Sequence, residues 1–375
     1  MENQKIYFPN LNGLRFIAAF LVIIHHIEQI KIFFNLESFF EKIPFVYVIG
    51  KLGVVLFFVL SGFLITYLLL VEEKVQKNIN IRKFYIRRIL RIWPLYYLII
   101  ILAFFVFPYI KVFLIPGYEK EIVFTNFNIK LLLYAIFFPN LVTGVVGLVP
   151  YASHTWSIGT EEQFYLVWPI LMKYFKKFRI LLMLFIIVFY LSFKGFLLTD
   201  YSQIIPYKFI IIEFWRSFNI DCMAIGGIFA ILLFQKNKII AFLNNNLVFY
   251  ISLFLALFLI INGISFKNFQ YEIYAVLFGI IILNFATNDK IKINLENRFF
   301  NYLGNISYGI YMYHPIAIVL SIKLCLSIDL TSNWLIYPLS FILSVIIAGL
   351  SYKYFESFFL KFKDKFSVIL SGNKK

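Results

Sequence analysis

Cysteine, histidine and charge are all scarce in this 375-residue chain. Cys222 and Cys325 are its two cysteines; they lie far apart inside apolar runs and form no CxxC pair. A CxxC redox pair is thereby excluded, and both read as packing residues. The four histidines show no metal-ligand spacing, so neither a metal nor a bound cofactor is expected. Charged residues make up 14% of the chain, where soluble domains carry about 25%. That shortage excludes a disordered chain, a nucleic-acid binder and an ordinary soluble enzyme. Alternating strands of about ten residues are missing, which excludes a membrane β-barrel. Internal repeats and low-complexity linkers are missing too, and no appended soluble domain is expected.

What the chain has is apolar residues, 62% of the total, with a mean hydropathy of +0.85, collected in long unbroken runs. The expected fold is all-α: a polytopic membrane bundle of about ten transmembrane helices, forming a single domain over 1–375 with its core at about 11–360. Hydropathy places the spans at 11–30, 46–70, 92–115, 162–174, 180–198, 218–233, 241–262, 271–286, 306–326 and 334–359. A long loop, 116–160, includes an apolar stretch at 130–139 that is interfacial or re-entrant. The first span contains His25 and His26, ends in HIEQIK and lacks a small-residue cleavage site, so it reads as a retained helix and not a signal peptide.

The formal charge of +16 follows from the same topology. With the N-terminus cytoplasmic, segments 72–91, 173–179, 234–240, 287–304 and 361–375 lie inside and hold 7, 4, 2, 3 and 5 basic residues, 21 in all. The outer loops and helix ends hold nine: Lys31, Lys42, Lys51, Lys111, Lys120, Lys130, Lys208, Arg216 and Lys267. Basic residues resist translocation, so both termini are expected in the cytoplasm.

Polar groups inside a membrane are costly, so each is a functional candidate. His26 follows Arg15 by eleven residues, and eleven steps of about 100° return to within about 20°, so both project from one helix face about 16 Å apart. His25 points elsewhere. Arg82, Lys83, Arg87, Arg88 and Arg91 cluster before the third span, and Arg88 and Arg91 are helical neighbours. They are either a positive-inside signal or a phosphate-binding patch, for which guanidinium forks are suited. HTWSIGTEEQFYLVWP sets His154, Trp156, Ser157, Glu161 and Glu162 at the entrance of the fourth span, where carboxylates and aromatic faces suit a sugar. In NISYGIYMYHPI, Ser307, Tyr311 and His314 share a face, with Pro315 expected to kink the helix. Ser61 and Gly62 read as helix packing, Arg216 and Asp221 as a structural ion pair, and Glu356 as an inner-face anchor.

Together these segments resemble the acyltransferase-3 family of bacterial integral membrane O-acyltransferases. The resemblance runs from Leu11 to Phe359 and is carried by LNGLRFIAAFLVIIHH, FFVLSGFLI, RRILRIWPLYY, HTWSIGTEEQFYLVWP, RSFNIDCMAIGGIFA, NISYGIYMYHP and YKYFESFF, in that order. The family's arginine, ten residues, histidine pattern falls on Arg15 and His26; its loop arginines fall on Arg88 and Arg91, and further positions on Trp156, Ser157 and Glu161. Asn12 departs from the family's usual Asp. The resemblance implies an enzyme of the bacterial inner membrane that moves an acyl group, usually acetyl, from cytoplasmic acyl-CoA to a hydroxyl of an envelope carbohydrate such as O-antigen, exopolysaccharide or peptidoglycan. Partners would be acyl-CoA, the carbohydrate and the bilayer. His26 would be the general base, with Glu161 and His314 as further catalytic candidates. Arg15, Arg88 and Arg91 would hold donor phosphates, and His154, Trp156 and Ser157 the acceptor. The alternative is a transporter or flippase for an acylated or lipid-linked sugar; the chain lacks the matching halves such a protein often shows.

Overall fold

A backbone surrounded by hydrocarbon must satisfy its polar groups within its own segment, so long apolar runs become helices. The computed structural model describes residues 5–264, 266, 269–366 and 370–371. Lys267, Lys374 and Lys375, which enter the charge asymmetry, lie outside the described residues. The main helices are α1 (Leu11–Phe33), α2 (Pro44–Gln76), α3 (Ile81–Phe105), a short α4 (Phe127–Ala135), α5 (Trp156–Tyr174) and α6 (Arg179–Leu197). They continue with α7 (Lys208–Phe218), α8 (Ile220–Phe234), α9 (Asn246–Ile261), α10 (Gln270–Thr287), α11 (Ser307–Ser327) and α12 (Asn333–Ser351). The extended structure among the described residues includes a two-residue parallel pairing of Lys5–Ile6 with Leu370–Ser371.

Eight helical segments of the described residues are long and apolar enough to cross a membrane. The two other expected spans coincide with α5, which carries Glu161 and Glu162, and with α9, only 16 residues long. The fold is thus an all-α polytopic membrane bundle. The centre belongs to α2 and α11, whose apolar windows are 72% and 78% buried, while α6 is only 17% buried and lies at the periphery. α11 runs unbroken through Pro315. The sixth expected span, 218–233, coincides with α8; a separate helix, α7, precedes it, and the two are broken at Asn219, whose φ of 33° no regular helix allows.

Glycines set how closely α2 and α8 cross. A Cβ on Gly62 would stand 1.9 Å from the Met223 carbonyl oxygen, and one on Gly226 would stand 2.2 Å from the Val59 oxygen. Backbones meet there because neither residue has a side chain. The opposite end of α1 is tied by charge. Lys31, counted among the outer basic residues, is buried and bridges Glu28 at 2.7 Å, while Ser38, Tyr337 and the Phe39 amide also donate to Glu28. This saturated carboxylate fixes α1 to α12 and to the 34–43 connection.

One boundary matters for function. The third span was expected to begin at 92, with the basic cluster in a loop. Instead α3 begins at Ile81, where the Asn80 side chain accepts from the Lys83 amide and caps it. The arginines therefore ride on the first three turns of a rigid helix.

Candidate active site

Helical spacing aims α1 and α3 at each other. Arg88 and Arg91, three apart on α3, and Arg15 on α1 all line one cavity of about 970 Å³ with Ser61, Ser157, Glu161 and Tyr311. Among the described residues none of the three guanidinium groups forms a salt bridge. Arg15 Nη1 donates to Asn12 Oδ1 at 3.0 Å, so the residue that departs from the family's Asp still orients this arginine with a neutral acceptor. Arg88 lies over the rings of Phe84 and Tyr165, 5.5 and 5.3 Å from their centroids, with a buried Nε that has no hydrogen-bond partner among the described residues. Arg87 is different: it bridges Glu72 at 2.8 Å and bonds the Phe366 carbonyl, a structural role.

Arg15 and Arg91, with Tyr308, also border a second cavity of about 1100 Å³ toward the end of the bundle that holds Tyr7, Tyr352, Glu356 and Lys363. Glu356 accepts from Ser351 at 3.1 Å there. Three arginines against Glu161 leave the inner cavity with an excess of positive charge, which suits an anion with several phosphates.

All four histidines of the chain converge on one column of rings. Centroids are 5.3 Å apart for His25 and His26, 4.8 Å for His26 and His314, and 5.0 Å for His314 and His154. His26 Nδ1 is 3.0 Å from the Val22 carbonyl and 3.1 Å from His314 Nε2, and His314 Nδ1 is 2.6 Å from the Tyr311 carbonyl. His25 turns away: its Nδ1–H donates to the Val46 carbonyl at 2.9 Å, and its ring fills the space over Gly50. His25, His26 and His154 line a third cavity of about 1040 Å³, with Lys51, Tyr151 and Trp156, on the far side from the arginines. His154 is buried, and its Nε2 has no hydrogen-bond partner among the described residues.

The arginine cavity and the histidine cavity share Val54 and Tyr311 as their common wall. The Tyr311 hydroxyl donates to the His154 carbonyl at 2.7 Å and lies 2.7 Å from Ser157 Oγ. Arg15 and His26 do face inward from one side of α1, but they open into different cavities.

The expected residues divide between these spaces. Glu161 and Ser157 sit with the arginines; His154 and Trp156 sit with His26; His314 stands within the histidine column between His26 and His154, fully buried and off the cavity wall. Glu161 accepts from Ser61 at 2.9 Å and from Tyr165 at 2.9 Å, so it joins the arginine cavity and not the histidines. Ser61 therefore does more than allow packing, and its place as a hydroxyl in an apolar run was the available signal. Tyr165 and Tyr308 carried no such signal, since aromatics are common throughout the chain. Arg216 bridges Glu213 at 3.0 Å and not Asp221, which is buried beside Glu272. The i, i+3 spacing on α7 reaches Glu213, whereas the break at Asn219 separates Arg216 from Asp221.

A family model described as an acyltransferase domain matches residues 8–353. The chain belongs to the acyltransferase-3 family. It is 28% identical over 174 residues to the peptidoglycan O-acetyltransferase OatA of Listeria monocytogenes, covering 46% of this chain and 25% of that one. It is 28% identical over 373 residues to a Bacillus subtilis protein provisionally named peptidoglycan O-acetyltransferase YrhL, covering 93% and 54%. An uncharacterized protein of Haemophilus influenzae is 29% identical over 249 residues, covering 63% and 99%. The chain thus spans about half or less of these two O-acetyltransferase relatives. No solved structure matches it.

Proposed function

We propose that this membrane acyltransferase moves an acyl group, most simply acetyl, from acyl-CoA to a hydroxyl of a cell-envelope carbohydrate. Peptidoglycan is the first acceptor to test, because two relatives are named for its O-acetylation. The observation that carries the reading is the pairing of cavities. Three guanidinium groups without carboxylate bridges face one cavity, which backs through Tyr311 and Val54 onto another lined by histidines. An acyl-CoA fits that arrangement: its phosphates meet Arg15, Arg88 and Arg91, and its thin arm points the thioester at the shared wall. The basic end would face the cytoplasm of a bacterial inner membrane, where the donor is made, and the histidine cavity the opposite side.

In this reading His26 takes the proton of the acceptor hydroxyl as its oxygen attacks the thioester carbonyl. The carbon–sulfur bond then breaks, and the departing CoA thiolate recovers the proton. Glu161 holds Ser61 and Tyr165 in the donor cavity, while His154, Trp156 and Lys51 border the space for the acceptor. Deleting the gene and weighing the envelope glycans by mass spectrometry tests this. Loss of an acetyl mass from one glycan is the expected result. Unchanged acetylation, with an acylated glycan retained on the cytoplasmic side, would replace the enzyme with a flippase.

A further inference from the structure

The carbonyl groups around the histidines identify which ring nitrogens carry hydrogens. His314 Nδ1 lies 2.6 Å from the Tyr311 carbonyl, and a carbonyl can only accept, so that nitrogen is protonated. In a neutral imidazole the other nitrogen then holds a lone pair, and His314 Nε2 points it at His26 Nδ1 from 3.1 Å. His26 Nδ1 also lies 3.0 Å from the Val22 carbonyl. Both of its neighbours are acceptors, so His26 carries its hydrogen on Nδ1 and keeps Nε2 free. The Val22 carbonyl lies one turn back on the same helix, where the backbone ladder competes for it. His314 is the acceptor supplied from outside α1. It is fully buried, bounded by the His154 ring and held by a tyrosine whose hydroxyl is itself anchored.

From this geometry we infer that His314 is a positioning residue: its neutral Nε2 holds His26 in the Nδ1–H tautomer and strengthens its bond when His26 becomes positively charged. The inference rests on His26 as the base of the proposed function. The acceptor's proton goes to His26 Nε2, and the new charge is shared with Nδ1–H, whose bond to His314 shortens. When the thiolate leaves, it takes the proton from Nε2. His314 gains and loses none. The arrangement has the logic of a base oriented by a third group, with an imidazole where a carboxylate is more usual.

Two substitutions separate this role from a purely structural one. His314→Gln places an acceptor oxygen where Nε2 stands but gives up the Nδ1 position. His314→Asn keeps a donor at the Nδ1 position, toward the Tyr311 carbonyl, but has nothing to offer His26. On purified, folded protein with acetyl-CoA as donor, His314→Gln should keep kcat within about tenfold of wild type. His314→Asn should lose at least about 10²-fold, the usual worth of a positioned base, and the donor KM should be unchanged in both. The reverse order, Asn active and Gln inactive, would assign His314 to packing and overturn the inference. Should either variant fail to fold, 15N spectra of histidine-labelled wild-type protein still decide. With four histidines in the chain, His26 is identified by the signal missing from His26→Gln, and a hydrogen found on Nε2 overturns the tautomer. If His26→Ala retains transfer, the proposed base itself falls. If His26→Ala is inactive while His314→Asn is not, only the role of His314 falls.

Discussion

Replacing His25 and His26 separately by alanine is the most discriminating perturbation of this molecule, because the two are adjacent on α1 and differ only in direction. His26 faces the histidine cavity and touches His314, and its loss should remove the base. A base contributes about 10²–10⁴ in rate, or about 3–5 kcal/mol of barrier. His25 also borders that cavity, but its polar ring atom is spent on the Val46 carbonyl and its ring packs over Gly50. Its loss frees one carbonyl and opens a gap between α1 and α2, at a stability cost of about 1–3 kcal/mol. The chemistry should be nearly untouched. The assay is acetyl transfer from acetyl-CoA by each purified variant, with thermal unfolding followed in parallel. The expected pattern is crossed. His26→Ala unfolds near the wild-type temperature and loses at least about 10²-fold in turnover. His25→Ala unfolds earlier but retains most turnover. Equal losses of activity in both would mean that disruption of α1, and not chemistry, explains the effect. An active His26→Ala would refute the base.

Lysine at both Arg88 and Arg91 keeps the charge but loses the planar fork, so the KM for acyl-CoA should rise at least about tenfold while the variant inserts normally; an unchanged KM would reduce the cluster to a topology signal. Orientation is testable against a silent background, since Cys222 and Cys325 are both buried. A cysteine replacing exposed Lys77 should resist an impermeant thiol reagent in intact cells, while one replacing exposed Glu119 should react, and labelling at 77 would reverse the proposed sidedness. Gly226→Val should abolish folding outright, because the obstructing atom is the Val59 backbone oxygen and cannot rotate aside; a variant with wild-type unfolding temperature would show that the α2–α8 crossing is looser than described.

Much of this architecture was legible without coordinates. Each expected span overlaps a helix, because hydrocarbon leaves an apolar run of about 20 residues no other way to satisfy its backbone; the third was drawn to 115 but its helix ends at Phe105. That Arg15 and His26 share a face of α1 followed from eleven residues of helical rotation, and so did the separation of His25 from His26. Those are properties of one helix and can be read from residue spacing. The spacing of Arg88 and Arg91 puts them on one face once a helix forms; that this helix already begins at Ile81 was not legible, since Asn80 caps α3 within a stretch whose hydropathy is too low to read as a span. Which faces meet is a matter of packing between helices. His314 reaches His26 across 288 positions, Glu161 finds Ser61 across 100, and the Tyr311 hydroxyl finds the His154 carbonyl across 157. The partner of Arg216 changed for the same reason, a break at Asn219 that no hydropathy pattern announces. Periodicity orients a side chain about its own axis; whether another helix brings a partner to it depends on how closely the backbones cross. Here that depends on two glycines, Gly62 and Gly226, that bring α2 and α8 into backbone contact.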